Sequence, residues 1–341
     1  MSWKRVKGHD SVVRAFQRAV QRDRLAHAYL FAGPSGVGKR SFASELAQAL
    51  LCENAQPQGL ESCDRCAACA LVRAGNHPDL FTAGRPEDSL ELPIDTVRDL
   101  RQSFSLKPAR GRGKVAILDD VDFMNDEAAN CLLKTIEEPP PRSILLLIGT
   151  SPDRQLSTIV SRCQVVHFAP LQAELMLELL RENNISDTTL QSHLVRLGGG
   201  SPGQALAFAD PDLWEFRRTF LRDLGQPIPD SVGLARKWMQ FVEAAGKESA
   251  AQRRRAALVL QLVLALFNDA LAVSVGGTPL NAEPAELPRL RALAARIGPD
   301  GWLDLLDRCL EAEGQIDRRV QLVLVLEALL DALGQELAVP K

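Results

Sequence analysis

The 341-residue sequence carries little net charge: 40 basic side chains stand against 43 acidic ones, a formal -3. Bulk charge therefore gives no argument for nucleic-acid binding, and any such contact must come from a local patch. The N-terminus, Met1-Ser2-Trp3-Lys4-Arg5, has no apolar stretch behind it, so no secretory signal and a cytoplasmic protein are expected. Long apolar runs are missing too. The most lipid-like one, 256–267, is about a dozen residues long and ends at Asn268-Asp269, short of the roughly 20 needed to span a bilayer. It predicts a buried helix and no membrane partner. Internal repeats and low-complexity tracts are absent as well, and the Ala/Leu/Arg richness of the C-terminal part is ordinary for a helical bundle. What remains is a soluble chain of 341 residues with 46% hydrophobic content, long enough for more than one domain of roughly 100 to 200 residues.

One further absence is local. Gly33-Pro34-Ser35-Gly36-Val37-Gly38-Lys39 is a phosphate loop in which Gly33, Gly36 and Gly38 would let backbone N–H groups wrap phosphates and Lys39 would neutralise them. The next residue should bring a hydroxyl to Mg²⁺, but it is Arg40. Ser41 lies one position on, about 100° around the helix from the metal's seat. About eighty residues later, Lys114-Val115-Ala116-Ile117-Leu118-Asp119-Asp120-Val121-Asp122 is an apolar strand ending in acids, with Asp119 in the place of a metal-organising carboxylate. Either motif alone is a modest signal, since strand-end carboxylates often cap helices. Together they predict a nucleotide-type fold. Hydrolysis is less well provided for, because Asp120 is short for the acid that would polarise an attacking water.

Seven cysteines in a cytoplasmic chain argue for thiols or metal rather than disulfides. Cys52, Cys63, Cys66 and Cys69 form C-x₁₀-C-x₂-C-x₂-C, and four thiolates make a closed tetrahedral site, so structural Zn²⁺ is expected there. A redox role is set aside because the insert does not read as a helix N-terminus. His77, before Pro78, could replace one of these ligands but reads better as a turn residue, and Cys131, Cys163 and Cys309 read as small buried hydrophobes. Arg162, in Ser161-Arg162-Cys163, reads by itself as a surface ion pair; in a nucleotide-type fold assembled edge to edge it fits an arginine donated in trans to a neighbour's γ-phosphate. Prolines 139–141 stop the helix of Leu132-Leu133-Lys134-Thr135-Ile136-Glu137-Glu138, and its KTIEE segment is more specific than packing requires. The turn with Lys107, Arg110, Gly111 and Arg112 could brush DNA phosphates, but reads better as a solvated loop.

Apolar runs at 28–32, 80–82, 115–118, 144–148 and 165–168 alternate with helical spacing at 10–22, 39–51, 94–100 and 126–138. That order predicts an α/β fold, a parallel sheet with helices on both faces. After Pro170 the strand signal ends. Short helical segments run to the breaker cluster Gly198-Gly199-Gly200-Ser201-Pro202-Gly203, and amphipathic helices follow near 212–224, 231–245, 250–273, 285–296, 300–313 and 315–338, with a loop from 276 to 288.

In this order, HAYLFAGPSGVGK (27–39), the four-cysteine insert, KVAILDDVD, NCLLKTIEEPPP and SRC resemble the AAA+ clamp-loader subunits of bacterial DNA polymerase III. The resemblance covers about the first 210 residues with specific motifs. Beyond them the helical remainder fits only by class. It implies an AAA+ P-loop-type module over 1–168 carrying a zinc-binding insert (52–69), a small helical lid over 169–208 and an all-α collar over 209–341 that joins subunits. Two branches of the family compete, the gamma/tau motor and delta prime. Arg40 for the metal-binding hydroxyl, Asp120 for the motor's glutamate and Gly203 for its sensor arginine side with delta prime, while the arginine-finger motif at Arg162 is intact. Thr150 or Ser151 takes the first sensor position. The resemblance then implies a stator without intrinsic activity, which supplies Arg162 to a neighbour's ATP site in the polymerase holoenzyme. Its partners would be delta and gamma/tau, and through them the beta sliding clamp and primed DNA. ATP or ADP at Gly33, Gly36, Gly38, Lys39 and Asp119 stays an open question. Two other readings are an active gamma/tau-like ATPase using Lys39 and Asp119, and a zinc-stabilised scaffold with no part in hydrolysis.

Overall fold

The computed structural model describes residues 3–338 apart from 57, 87–88, 111 and 248; Met1, Ser2, Gly111 and the last three residues of the expected collar lie outside the described residues. The chain runs through α1 (Asp10–Gln21), β1 (Ala28–Ala32), α2 (Lys39–Leu51), α3 (Ala67–Arg73), β2 (Leu80–Ala83), α4 (Ile94–Ser105), β3 (Lys114–Leu118), α5 (Asp126–Glu137), β4 (Ser143–Gly149), α6 (Ser157–Val160) and β5 (Gln164–His167). The strands form one sheet in the order β2-β3-β4-β1-β5, every neighbouring pair parallel. The uninterrupted apolar runs take its centre: β1 and β3 are buried along their whole length, as strands covered on both faces must be. The less apolar β2 and β5 take the edges.

One face of the sheet packs on Leu100, Phe104, Leu132 and Ile136 from α4 and α5. On the aromatic side, Phe42 of α2 meets Phe31 of β1 at 5.5 Å and Phe168 at 5.3 Å between ring centroids. These contacts hold the helix that follows the phosphate loop against the strand that precedes it.

The chain divides into two compact units: residues up to 187 with 198–205, and 188–197 with 206 onward. The first holds the sheet and α7 (Ala173–Glu182). The chain passes between the units within α8 (Thr188–Gly198) and α9 (Pro202–Ala207), so the residues expected in the lid contribute to both.

The second unit is all-helical: α10 (Pro211–Leu224), α11 (Ser231–Glu243), α12 (Ser249–Ser274), α13 (Leu287–Ala294), α14 (Pro299–Asp317) and α15 (Leu322–Leu337). The apolar run read as about a dozen residues belongs to the 26-residue α12, whose most apolar 18-residue window has a mean hydropathy of 2.0. By length and composition it could cross a membrane. It serves here as core, burying Val259, Leu260, Val263, Leu266 and Phe267 in a bundle with α10, α11, α13 and α14. Arg217 and Glu286, both buried, pair across this unit, and Asp269 accepts the N–H groups of Leu280 (2.8 Å) and Asn281 (2.9 Å). The expected 276–288 loop is thereby pinned. A helix break expected at 314 falls instead at 318–321, where Arg319 is left-handed (φ 60). Helix propensity loses about 1 kcal/mol at Gly314, but Ala312 and Ile316 are buried on either side of it. Arg253 of α12 then closes the end, donating to the carbonyls of Ile316 (3.3 Å), Arg319 (3.3 Å) and Val320 (3.0 Å).

Candidate functional site

β1 ends in the glycine loop, and Gly38 N-caps α2 with φ 110, a conformation side chains resist. Each carbonyl from Gly33 to Val37 accepts a hydrogen bond. Lys39 Nζ donates to Gly33 O (2.6 Å) and Pro34 O (2.7 Å), and Ser201 Oγ to Ser35 O (2.8 Å). The Gly203 N–H donates to Gly36 O (3.1 Å) and His9 Nε2 to Val37 O (2.9 Å), which fixes the His9 proton on Nε2. Burial pulls the Lys39 ammonium below the ordinary lysine range, and Asp119, Asp122 and Asp120 oppose that shift.

The turn at 201–204 lies directly on this loop. A Cβ on Gly203 would stand 3.0 Å from Gly36 Cα and 3.1 Å from Gly36 O, and a Cβ on Gly36 would stand 2.6 Å from Ser201 Oγ. An arginine at 203 would therefore require the two backbones to part. The reason for Gly203 is close approach, which the residue type alone does not reveal.

Against the end of β3, Arg40 of α2 supplies charge where a hydroxyl is missing: its Nη1 lies 3.3 Å from Asp119 Oδ2. Arg40 is exposed and Asp119 partly buried, so the pair contributes about 1 kcal/mol or less, but it sets a cation against the acid that would organise a metal. Ser41 is exposed. Asp119 Oδ1 accepts the Asp120 N–H at 3.0 Å. Asp120 is left-handed (φ 58), and burial, reinforced by Asp119, pushes its carboxyl above the ordinary aspartate range. Asp122 was only part of a motif in the sequence, yet it ties two strand ends together. Its Oδ2 accepts the Thr150 N–H and hydroxyl, each at 2.7 Å, and its Oδ1 accepts Gln155 Nε2 at 2.6 Å. Of the two sensor candidates, Thr150 thus spends its proton on Asp122, while Ser151 accepts the Asp153 N–H (3.2 Å) and caps a short 3-10 turn.

Arg162 sits between α6 and β5, beside Cys163, whose burial in the core pushes its thiol to about 12. The guanidinium is half-exposed. Nη2 lies 2.9 Å from Glu137 Oε1, and Nη1 donates to Thr158 O (3.1 Å) and Ser161 Oγ (3.3 Å). Glu137 belongs to the KTIEE segment.

The four cysteine sulfurs lie within 4.8 Å of one another. Zn–S bonds of about 2.3 Å in a tetrahedron place sulfurs roughly 3.8 Å apart, and Cys52 Sγ to Cys66 Sγ measures 3.9 Å. Backbone N–H groups of Cys63, Cys66 and Cys69 point at Cys52, Cys63 and Cys66 sulfur at 3.3, 3.3 and 3.4 Å, as thiolate acceptors require. The Arg65 and Cys66 N–H groups hold the Cys63 thiol down to about 6, whereas burial raises Cys52 and Cys69. The donor set fits a structural zinc. One expectation is corrected: Cys66 is the N-cap of α3, so the cluster does stand at a helix N-terminus, a seven-residue helix too short to announce itself by periodicity. His77 is outside the cluster; its Nδ1 accepts the Asp79 N–H at 3.1 Å, as a turn residue does. The basic turn is committed to structure, with Arg110 paired to Glu53 (3.1 Å) and Arg112 donating to Glu53 O (2.6 Å).

Comparison with known proteins adds a family to this geometry. The sequence model of the family described as "DNA polymerase III, delta subunit" matches residues 8–172. The chain is 34% identical over 252 residues to DNA polymerase III subunit delta prime of Escherichia coli (strain K12), covering 74% of this chain and 71% of that one. With the delta prime subunit of Bacillus subtilis (strain 168) it shares 30% identity over 285 residues, 81% of each chain. The tau subunit of Escherichia coli is 36% identical over 212 residues, 60% of this chain and 32% of that protein.

Proposed function

The chain belongs to the family of DNA polymerase III delta prime subunits, and from that membership we propose that it is the stator of a clamp loader. In this reading it assembles with delta and gamma/tau in the cytoplasm, through a collar within the helical part (209–341) that follows a module (1–168) and lid (169–208). It helps the ATP-driven ring place a beta sliding clamp on primed DNA, and ATP is hydrolysed by its neighbours. The carrying observation is Arg40, whose guanidinium stands 3.3 Å from Asp119 Oδ2 where a motor would set a hydroxyl and a metal. With Gly203 also closed against Gly36, the site favours a rigid part over a motor.

Arg162 is the group this reading makes functional. Phosphoryl transfer spreads negative charge over the outgoing group, and a guanidinium brought in by a neighbouring subunit stabilises it. A half-exposed Arg162, engaged only with groups on the α5 and α6 side among its described contacts, is available for that task. Zinc at Cys52, Cys63, Cys66 and Cys69 would be structural, joining the C-terminal end of α2 to α3.

Mg·ATP binding and turnover by the isolated chain test the stator against the motor. The expected result is neither tight binding nor turnover. Steady hydrolysis that disappears in Lys39→Ala would establish a gamma/tau-like ATPase instead.

A further inference from the structure

Glu137 has no task in the reading above, yet it holds the residue on which that reading turns. It is the last residue of α5, and the next residue but one begins the run Pro139-Pro140-Pro141. A carboxylate at a helix C-terminus faces the negative end of the helix dipole, where cations are favoured, so this is the wrong charge for local stability. Glu138 repeats the offence, but Glu137 alone of the two is paired with Arg162. A local rule broken at a fixed position marks a site where something other than stability is served.

Its position is indeed fixed. Leu132 and Ile136 anchor α5 in the core, and the prolines prevent the helix from continuing. Across from it, α6 offers the Thr158 carbonyl to the same guanidinium. Arg162 therefore bridges two helices, through the Glu137 carboxylate at the end of α5 and the Thr158 carbonyl of α6. Thr158 and Ser161 take the two N–H donors of Nη1, while Glu137 Oε1 is paired with Nη2 by charge at 2.9 Å. Nε–H and one Nη2–H are left over, enough for one further oxygen-bearing group.

We propose that Glu137 is the positioning residue of the arginine finger: it orients Arg162 with part of its donor fork open, so that a neighbour's γ-phosphate is met by a guanidinium already in place. This rests on the reading of Arg162 as a trans finger. The carboxylate acts before the phosphate arrives, by limiting the rotamers of a long side chain through its ion pair, and that pair leaves N–H donors on Nε and Nη2 for the phosphate. The KTIEE segment acquires a reason: its first glutamate serves the SRC arginine.

The test is single-turnover ATP hydrolysis by the reconstituted complex of this chain with delta and gamma/tau, comparing wild type, Glu137→Gln, Glu137→Asp, Arg162→Ala and the double variant Glu137→Gln/Arg162→Ala. Glu137→Gln should lower the hydrolysis rate at the adjoining site by roughly 1.5- to fivefold, the range expected for a partly exposed charge pair, with ATP affinity and assembly unchanged. Glu137→Asp should recover part of the loss, and in the Arg162→Ala background Glu137→Gln should have no further effect. If Arg162→Ala collapses hydrolysis while Glu137→Gln leaves it unaltered or raises it, the positioning role is wrong and the finger stands. An equal loss in the Arg162→Ala background would overturn it as well, in favour of a merely structural helix end. Should Arg162→Ala itself change nothing, the finger reading falls and this inference with it.

Discussion

At the scale of single residues, the departures of the phosphate loop from a working ATPase are replacements. Arg40 sets a guanidinium beside Asp119, and Gly203 brings a backbone against Gly36. Arg40 was legible in the sequence as a missing hydroxyl, but its pairing with Asp119 was not, because that requires a side-chain direction that spacing does not supply. Asp120 gives a prediction with a defined sign. Burial raises its folded-state pKa, so the group contributes stability below its unfolded pKa and loses that contribution as pH rises through the folded value. Asp120→Asn removes the desolvated charge and should stabilise the chain at pH 7, with a smaller gain at pH 4. Thermal melts of both proteins at the two values check this; a gain equal at both would contradict it.

At the scale of elements, the five strands and the helices between them were legible because each long apolar run had one place to go in a parallel sheet. The elements that were missed are those shaped by distant partners. The end of α14 is set by Arg253, far away in sequence, whose guanidinium collects the last carbonyls. The cysteine spacing announced a metal but not α3, since seven residues are too few for a helical period to emerge. The zinc element carries its own prediction. Metal analysis of the purified chain should find one zinc per molecule, and Cys66→Ser or chelation should lower the melting temperature and open the 52–69 segment to protease while the sheet's strands stay protected from hydrogen exchange. A metal-free chain that melts at the same temperature would remove zinc from the account.

At the scale of the whole molecule, family membership was legible from ordered motifs in the first 210 residues, whereas the helical unit could be assigned only by class. Apolar faces there explain the difficulty: Leu322, Val325 and Leu326 are core, while Val320, Val323 and Leu324 on the same stretch are partly exposed. A hydrophobic pattern cannot separate the two. The central claim is that this chain completes a neighbour's ATP site with Arg162 while running no ATPase of its own. Hydrolysis at that adjoining motor site, in a complex reconstituted with delta, gamma/tau, beta clamp and primed DNA, tests it most directly. Arg162→Ala should leave the complex assembled and slow that site by about 10³ to 10⁵, the usual effect of losing such a finger; undiminished hydrolysis in an intact Arg162→Ala complex would contradict the account.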